Sequence, residues 1–291
     1  MKNRTLLGIG LMIVTTFLFS SMDGVSRYLA ENNNVLSLVS IRYWFVSIFI
    51  VILCLFIKNS FKRIIYTQQP LLQFGRGLIL SINNCIVIYS FTLIGLIETH
   101  AVIACYPLMV AALSVPFLGE KFGWRRWGAI AVGFFGVIII IRPSMEIFSG
   151  GSFFALIGAL LFSIYLILTR YVSKRDGAIT SFFWMGMGGT VTMSVVSFFT
   201  WERISQEYWM WLLLMCIISA ISHFLMVKTL QLAEASVIQP FSYLQLVFAS
   251  FIGVIFFSET IHEMILIGTF IVITAGLFTF WREYKIKLIK K

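Results

Sequence analysis

Residues 124–141 read WRRWGAIAVGFFGVIIII: two arginines between two tryptophans, then fourteen residues without a charge. At about 1.5 Å of rise per residue, a helix of this length covers roughly 27 Å, close to the ~30 Å of hydrocarbon in a bilayer. Indole rings settle at the membrane interface, and loops rich in Lys and Arg stay cytoplasmic. The stretch therefore reads as a membrane-crossing helix entered from the cytoplasm, with Trp124 and Trp127 as anchors. Ala129-x-x-x-Gly133 and Gly136 provide small residues for close packing on another helix.

Nine further stretches have the same character, near 5–28, 35–57, 71–94, 99–118, 151–171, 180–200, 208–228, 236–257 and 262–281. With the N-terminus inside, Lys2, Arg4, Lys58, Lys62, Arg63, Lys121, Arg125, Arg126, Arg170, Lys174, Arg175, Lys228, Arg282, Lys285, Lys287, Lys290 and Lys291 fall on one side. The other side receives only Arg27, Arg142 and Arg203. That asymmetry predicts a multi-pass protein of the plasma membrane (in bacteria, the inner membrane) with both termini cytoplasmic.

The composition agrees. Of 291 residues, 59% are hydrophobic and 12% charged, with a mean hydropathy of +0.95, too apolar for an ordinary soluble domain. The net charge of +10 lies in short loops and a tail beside predicted spans, where anionic lipid rather than nucleic acid is the expected partner. The apolar run after Met1 continues past 20 residues with no A-x-A-like exit site, so it is read as an uncleaved first span. Cys54, Cys85, Cys105 and Cys216 are scattered singly, fitting neither a disulfide framework nor a metal site.

Ten spans divide into five plus five. Ala101-Val102-Ile103, Glu120, Gly128 and Gly136 in the first half have a low-resolution echo in Ser236-Val237-Ile238, Glu259, Gly268 and Gly276. Because five is odd, two such halves must insert in opposite senses, the plan of secondary transporters that bind solute near the midplane. The predicted fold is all-α and integral to the membrane: ten transmembrane helices in two inverted five-helix repeats, residues 1–145 and 146–291. Pro107 and Pro240 interrupt the fourth and ninth spans, which are matching helices. Each proline removes a backbone donor and frees a carbonyl, so the pair marks helix breaks with a gating role.

Asp23 is the only acidic residue well inside a predicted span, where a charge costs roughly 2.5–3.5 kcal/mol on insertion scales. It has two readings, a structural bridge to Arg27 or Arg42, or contact with a solute. Arg76 either snorkels to the headgroups or meets an anion at the inner mouth. Asn83 and Asn84 sit halfway along the third span, about 100° apart on the helix, so at least one is expected to bond a neighbouring helix. Tyr89, Tyr106, Tyr165, Gln239, Tyr243 and Gln245 bring polar groups to intermediate depth. His223, the one histidine away from a predicted membrane edge, is read as a packing residue, with a proton role as its alternative. Trp44 and Trp184 lie inside spans, either packed or stacked on a planar solute.

The run from Pro107 to Phe117, then Gly119-Glu120-Lys121, Gly123 to Gly128 and Arg142-Pro143, resembles the end of an EamA-type repeat of the drug/metabolite transporter superfamily. Its echo is Pro240-Phe241-Ser242-Tyr243, Glu259, and Gly268 through Ala275-Gly276-Leu277. Residues 20–29 and Arg76-Gly77-Leu78 resemble a bacterial branch that includes transporters of S-adenosylmethionine and riboflavin. The resemblance covers nearly the whole chain. It implies two inverted repeats around a cavity lined mainly by helices 1, 3, 4, 6, 8 and 9. It also implies that solutes move by ion coupling or exchange. Asp23, Arg27, Arg42, Arg76, Pro107, Pro240 and Tyr243 match the branch pattern, whereas Gln245 stands where an apolar residue is expected.

The resulting expectation is a secondary transporter, without a cofactor, for a small polar or zwitterionic metabolite such as an amino acid or an S-adenosylmethionine-like solute. Its partners would be the solute, the lipid bilayer and a coupling proton or counter-substrate. Uptake of riboflavin or another planar cofactor, or drug efflux, is the alternative. An integral-membrane transferase would need acids, histidines or a metal set clustered near one interface. His100, His223 and His262 lie in separate segments, which argues against it.

Overall fold

A computed structural model describes residues 2–56, 64–119, 123–141, 150–232 and 238–289. The α-helices bounded within them are α1 (Lys2–Ala30), α2 (Val35–Phe56), α3 (Pro70–Ile103), α4 (Tyr106–Leu118), α5 (Trp124–Ile141), α6 (Gly150–Val172), α7 (Ala178–Thr200), α8 (Trp209–Leu232), α9 (Leu244–Phe257) and α10 (Glu263–Ile289). Short 3-10 turns at Gln206–Tyr208 and Gln239–Tyr243 precede α8 and α9. Among the described residues there is no strand.

Helices α1, α2, α3, α6, α7 and α8 are long and apolar enough to cross a bilayer. Two of the shorter ones lost length to breaks. α4 has 13 residues and α9 has 14, about 20 Å each. The rest of the fourth expected span is the last part of α3. Gly95, at φ 81, lies in the left-handed region that glycine enters without steric cost. There the chain folds back: Ser90 and Thr99 are 3.2 Å apart through their hydroxyls, and Phe91 stacks on His100 with centroids 5.5 Å apart. A straight helix would separate residues nine apart by about 13 Å. Residues 70–94 and 96–103 are thus two arms of α3, which fall in the third and fourth expected spans. A turn at Ala104–Cys105 follows, and Pro107 then sits in the first turn of α4, where its missing N–H costs little. Pro240 likewise sits in the first turn of the 3-10 segment before α9.

The contacts set the helix directions. α1 and α8 run antiparallel, since Phe19 meets His223 and Tyr28 meets Trp211. α1 and α9 run parallel, since Ser20 bonds the Gln245 carbonyl and Arg27 meets Glu259. α6 opposes residues 70–94, with Arg76 at Thr169 and Ser90 at the Gly151 carbonyl. α7 lies parallel to residues 70–94 and antiparallel to α2, where Ser40 bonds Ser197 and Ser47 bonds Thr190. α5 packs against α10, with Gly136 facing Gly268. One end of the bundle, here the near end, holds the start of α1. The far end gathers the finish of α1, the Gly95 bend, the start of α6 and the finish of α9.

Polar residues are buried within an apolar core, and large apolar side chains also cover the outside. Thr15, Thr16, Ser20, Asp23, Arg42, Arg76, Asn83, His100 and His223 are buried, whereas Leu71, Phe198, Phe199, Ile255 and Phe256 are exposed. Apolar side chains exposed on this scale suit a surrounding of lipid. Trp124, Trp201, Trp209 and Trp281 are exposed near helix ends, at the depth of headgroups.

Candidate functional site

A cavity of about 60 Å³ lies where the helices converge. Phe19, Met22 and Asp23 come from α1; Asn83, Asn84, Val87, His100 and Ile103 from the two arms of α3. Tyr106 of α4, Gly158 and Phe162 of α6, His223 of α8 and Gln245 of α9 complete the wall. Apart from helix numbering at the bend, these are spans 1, 3, 4, 6, 8 and 9. The space is large enough to take a few waters.

Asp23 is not paired with either arginine expected of it. His100 Nε2 lies 3.3 Å from Asp23 Oδ2, an ion-pair distance without aligned hydrogen-bond geometry, and Gln245 Nε2 donates to the same oxygen at 3.3 Å. Arg27, one turn further along α1, turns away instead. It pairs with Glu259 and, at 3.4 Å, with Glu31, and its guanidinium lies over the Phe257 ring at 4.1 Å. Helical spacing puts Arg27 on the face of Asp23, but its long side chain reaches the far-end acids Glu259 and Glu31 instead. The unexpected amide of Gln245 therefore has a partner, and His100 is the site residue the sequence reading missed. Its place at a predicted span edge hid it; the Gly95 fold-back carries it to Asp23.

Arg42 is buried behind Met22, donating from Nη1 to the Met22 sulfur at 3.8 Å. Its Nη2 has no partner among the described residues, and no carboxylate lies within ion-pair distance. Asn83 Oδ1 and both ring nitrogens of His223 are also buried without partners. Asn84 donates to the Tyr43 hydroxyl at 2.8 Å, so one amide bonds a neighbouring helix while both line the cavity. A buried polar atom without a partner costs about 1–3 kcal/mol. Several around one space describe a site shaped for a polar molecule.

Other expected positions lie elsewhere. Arg76 does not snorkel; it is fully buried, donating to Thr169 Oγ1 at 3.0 Å and to the Ser181 carbonyl, so it fastens α3 to α6 and α7. Tyr165 packs beside it, with its hydroxyl 3.4 Å from the Met185 sulfur. Tyr89 is 45% exposed on the outer surface against Phe154. Trp44 donates to Ser194 and stacks on Trp201, and Trp184 donates to the Ile65 carbonyl; neither borders the cavity. The side chains of Gln239 and Pro240, and the whole of Glu120 and Cys54's side chain, lie outside what is described.

Smaller cavities extend toward the near end. One is bounded by His100, Tyr106, Tyr243 and Gln245, the next by Tyr106, Arg170, Met226 and Ser242. Tyr106 borders all three spaces and bonds Ser242. The residues flanking Pro107 and Pro240 thus meet at the base of the central cavity. At the far end, Glu259 accepts from the backbone N–H groups of Leu96 and Ile97.

The sequence profile of the EamA-like transporter family matches residues 6–142 and again 149–281. An S-adenosylmethionine uptake transporter of Rickettsia felis is 26% identical over 96% of this chain and 94% of its own. The corresponding protein of Rickettsia bellii is 25% identical over 96% and 95%. A riboflavin transporter of Rhizobium johnstonii is 20% identical over 97% of this chain and 94% of its own. A solved crystal structure superimposes with a TM-score of 0.66 at 12% identity, covering 94% of this chain and 95% of the other, a likeness of fold alone.

Proposed function

We propose that this chain, which belongs to the EamA-like transporter family, carries a small cationic or zwitterionic metabolite of the S-adenosylmethionine kind across the plasma membrane by alternating access. Membership makes it a transporter rather than an enzyme. The observation that carries the choice of solute is the buried cavity holding one carboxylate, Asp23, among partnerless polar atoms of Asn83 and His223. Asp23 takes the solute's ammonium or sulfonium group. Arg42, reached when Met22 swings aside, takes its carboxylate in the bidentate manner of a guanidinium. Relatives along the full length that are S-adenosylmethionine uptake transporters support this class.

Alternating access rests on two inverted repeats, residues 1–145 and 146–291. The family profile matches the chain twice, and the packing exchanges between halves. α1 packs on α8 and α9 as α6 packs on α3 and α4, while α5–α10 and α2–α7 pair across. α1 and α6 run in opposite directions, as inversion requires. The central cavity, with smaller cavities toward the near end and the Glu259 junction at the far end, fits a carrier that exposes one side at a time. The excess of Lys and Arg on that side supports a cytoplasmic near end that holds both termini.

Phe19, Phe162 and Tyr106 in the cavity wall favour a second reading, a planar cofactor such as riboflavin stacked on rings. Proteoliposomes loaded with wild type, Asp23→Asn or Arg42→Gln separate the two. Uptake of labelled S-adenosylmethionine is expected to fall more than tenfold in either variant, with riboflavin not carried. Riboflavin uptake insensitive to both variants would overturn the assignment.

A further inference from the structure

An isolated carboxylate at the depth of Asp23 is strongly disfavoured, so with no solute bound it is neutralised either by its own proton or by a counter-charge. Among the described residues, the group within ion-pair distance that can supply one is His100. The other titratable or charged groups around it are accounted for. On α1, Arg27 belongs to Glu259 and Glu31. On α2, Arg42 stands behind Met22 beyond ion-pair distance. On α3, Glu98 lies two residues from His100 on another face and has its own partner, while Asn83 and Asn84 are neutral amides. Tyr106 of α4, His223 of α8 and Tyr243 before α9 border the same or the adjoining space. α6 presents only Gly158 and Phe162.

We propose that His100 holds a proton in the empty carrier and that a cationic solute arriving at Asp23 displaces it, exchanging one proton for one positive solute. The exchange rests on Asp23 being the solute's contact, as argued above. The balance is simple. The imidazolium of His100 and the carboxylate of Asp23 form a neutral pair. The solute's cation replaces the imidazolium as counter-ion, and two positive charges on one carboxylate repel through a poorly screened interior. His100 then releases its Nε2 proton, which leaves by way of the adjoining near-end cavity that His100 borders. No bond other than that N–H breaks. By linkage the proton weakens solute binding as much as the solute weakens proton binding. A carrier that returns empty brings a proton back and one that returns loaded does not, so net solute movement is proton antiport and solute-for-solute exchange is proton-silent.

The test combines calorimetry with imidazole nitrogen NMR on purified full-length protein in lipid nanodiscs. S-adenosylmethionine is titrated between about pH 5 and 8 in two buffers of different ionisation heat. Wild type is expected to release about one proton per solute bound. Its affinity should weaken by about tenfold per pH unit on the acid side. In His100→Gln, Asp23 can be neutralised only by its own proton, so binding should still release a proton but with no imidazole signal as its source. In the ligand-free wild type, His100 is expected to show an imidazolium signal near neutral pH that disappears in Asp23→Asn. Binding without proton release, or a neutral His100 in the ligand-free protein, overturns the exchange and leaves the solute assignment standing. Absence of any binding sinks the solute assignment instead, and the NMR arm then decides by itself whether His100 holds the proton.

Discussion

The carboxylate of Glu259 accepts the backbone N–H of Leu96 at 2.7 Å, fastening the finish of α9 to the arm that carries His100. Its second oxygen accepts from Ile97 at 2.8 Å, and the same group pairs with Arg27 of α1. One side chain thus caps a helix start left open by Gly95, neutralises a mostly buried arginine and joins three helices at the far end.

Replacing Glu259 by alanine removes the cap and strands Arg27. The expected loss of stability is about 3 kcal/mol, with Glu259→Gln intermediate because its amide oxygen still accepts one N–H. Denaturant unfolding in detergent measures this. An alanine variant as stable as wild type would show that the far-end junction does not depend on the carboxylate.

Arg76 is expected to matter for folding rather than for solute. Arg76→Gln leaves the Ser181 carbonyl and Thr169 without their donor and should lower stability by about 2–3 kcal/mol. Uptake per folded molecule in proteoliposomes should stay within about twofold, since Arg76 does not border the cavity. A selective loss of affinity in well-folded protein would return Arg76 to the binding site.

Gln245 shares Asp23 with His100. Gln245→Leu removes a donor to a buried carboxylate, and hydrogen bonds to charged groups contribute about 1.5–3 kcal/mol. Affinity for S-adenosylmethionine should therefore change by at least tenfold, measured by calorimetry. No change would place the solute away from Asp23.

Gly136 and Gly268 bring the backbones of α5 and α10 together; a Cβ at Gly136 would stand 2.9 Å from the Gly268 carbonyl oxygen. Gly136→Leu should cost about 1–3 kcal/mol by overpacking. Gly128→Leu, where a Cβ meets nothing within 4 Å, should stay within about 0.5 kcal/mol. Equal melting temperatures for the two variants would contradict close α5–α10 packing.

Most of the helices were legible in the chain because hydrophobic length is a local property. Trp124 through Ile141 needs no partner to declare itself a helix for lipid, and the expected and observed bounds of α2, α5 and α7 differ by two residues or fewer. The proline breaks were legible for a similar reason: Pro107 and Pro240 remove a donor wherever they stand. The site was only half legible. Asp23, Asn83, Asn84, Tyr106 and His223 declare themselves as polar residues inside apolar stretches, and all border the cavity. Tyr89 and Arg76 have the same signature but face lipid in one case and a helix junction in the other. A polar residue's depth can be counted along a span, whereas its rotational position depends on which helices surround it.

What the linear chain determined by itself is the solvent of the protein: stretches of apolar length and lopsided cations require a bilayer and set the rhythm of crossings. Only the tertiary structure decided the pairings. Asp23 meets His100 and not Arg27 because the Gly95 bend folds one arm back beside α1, while Glu259 arrives from far along the chain to hold the arginine. Ion pairs are short-ranged and require groups within a few ångströms, so they follow where the helices converge and not how far apart their residues are numbered.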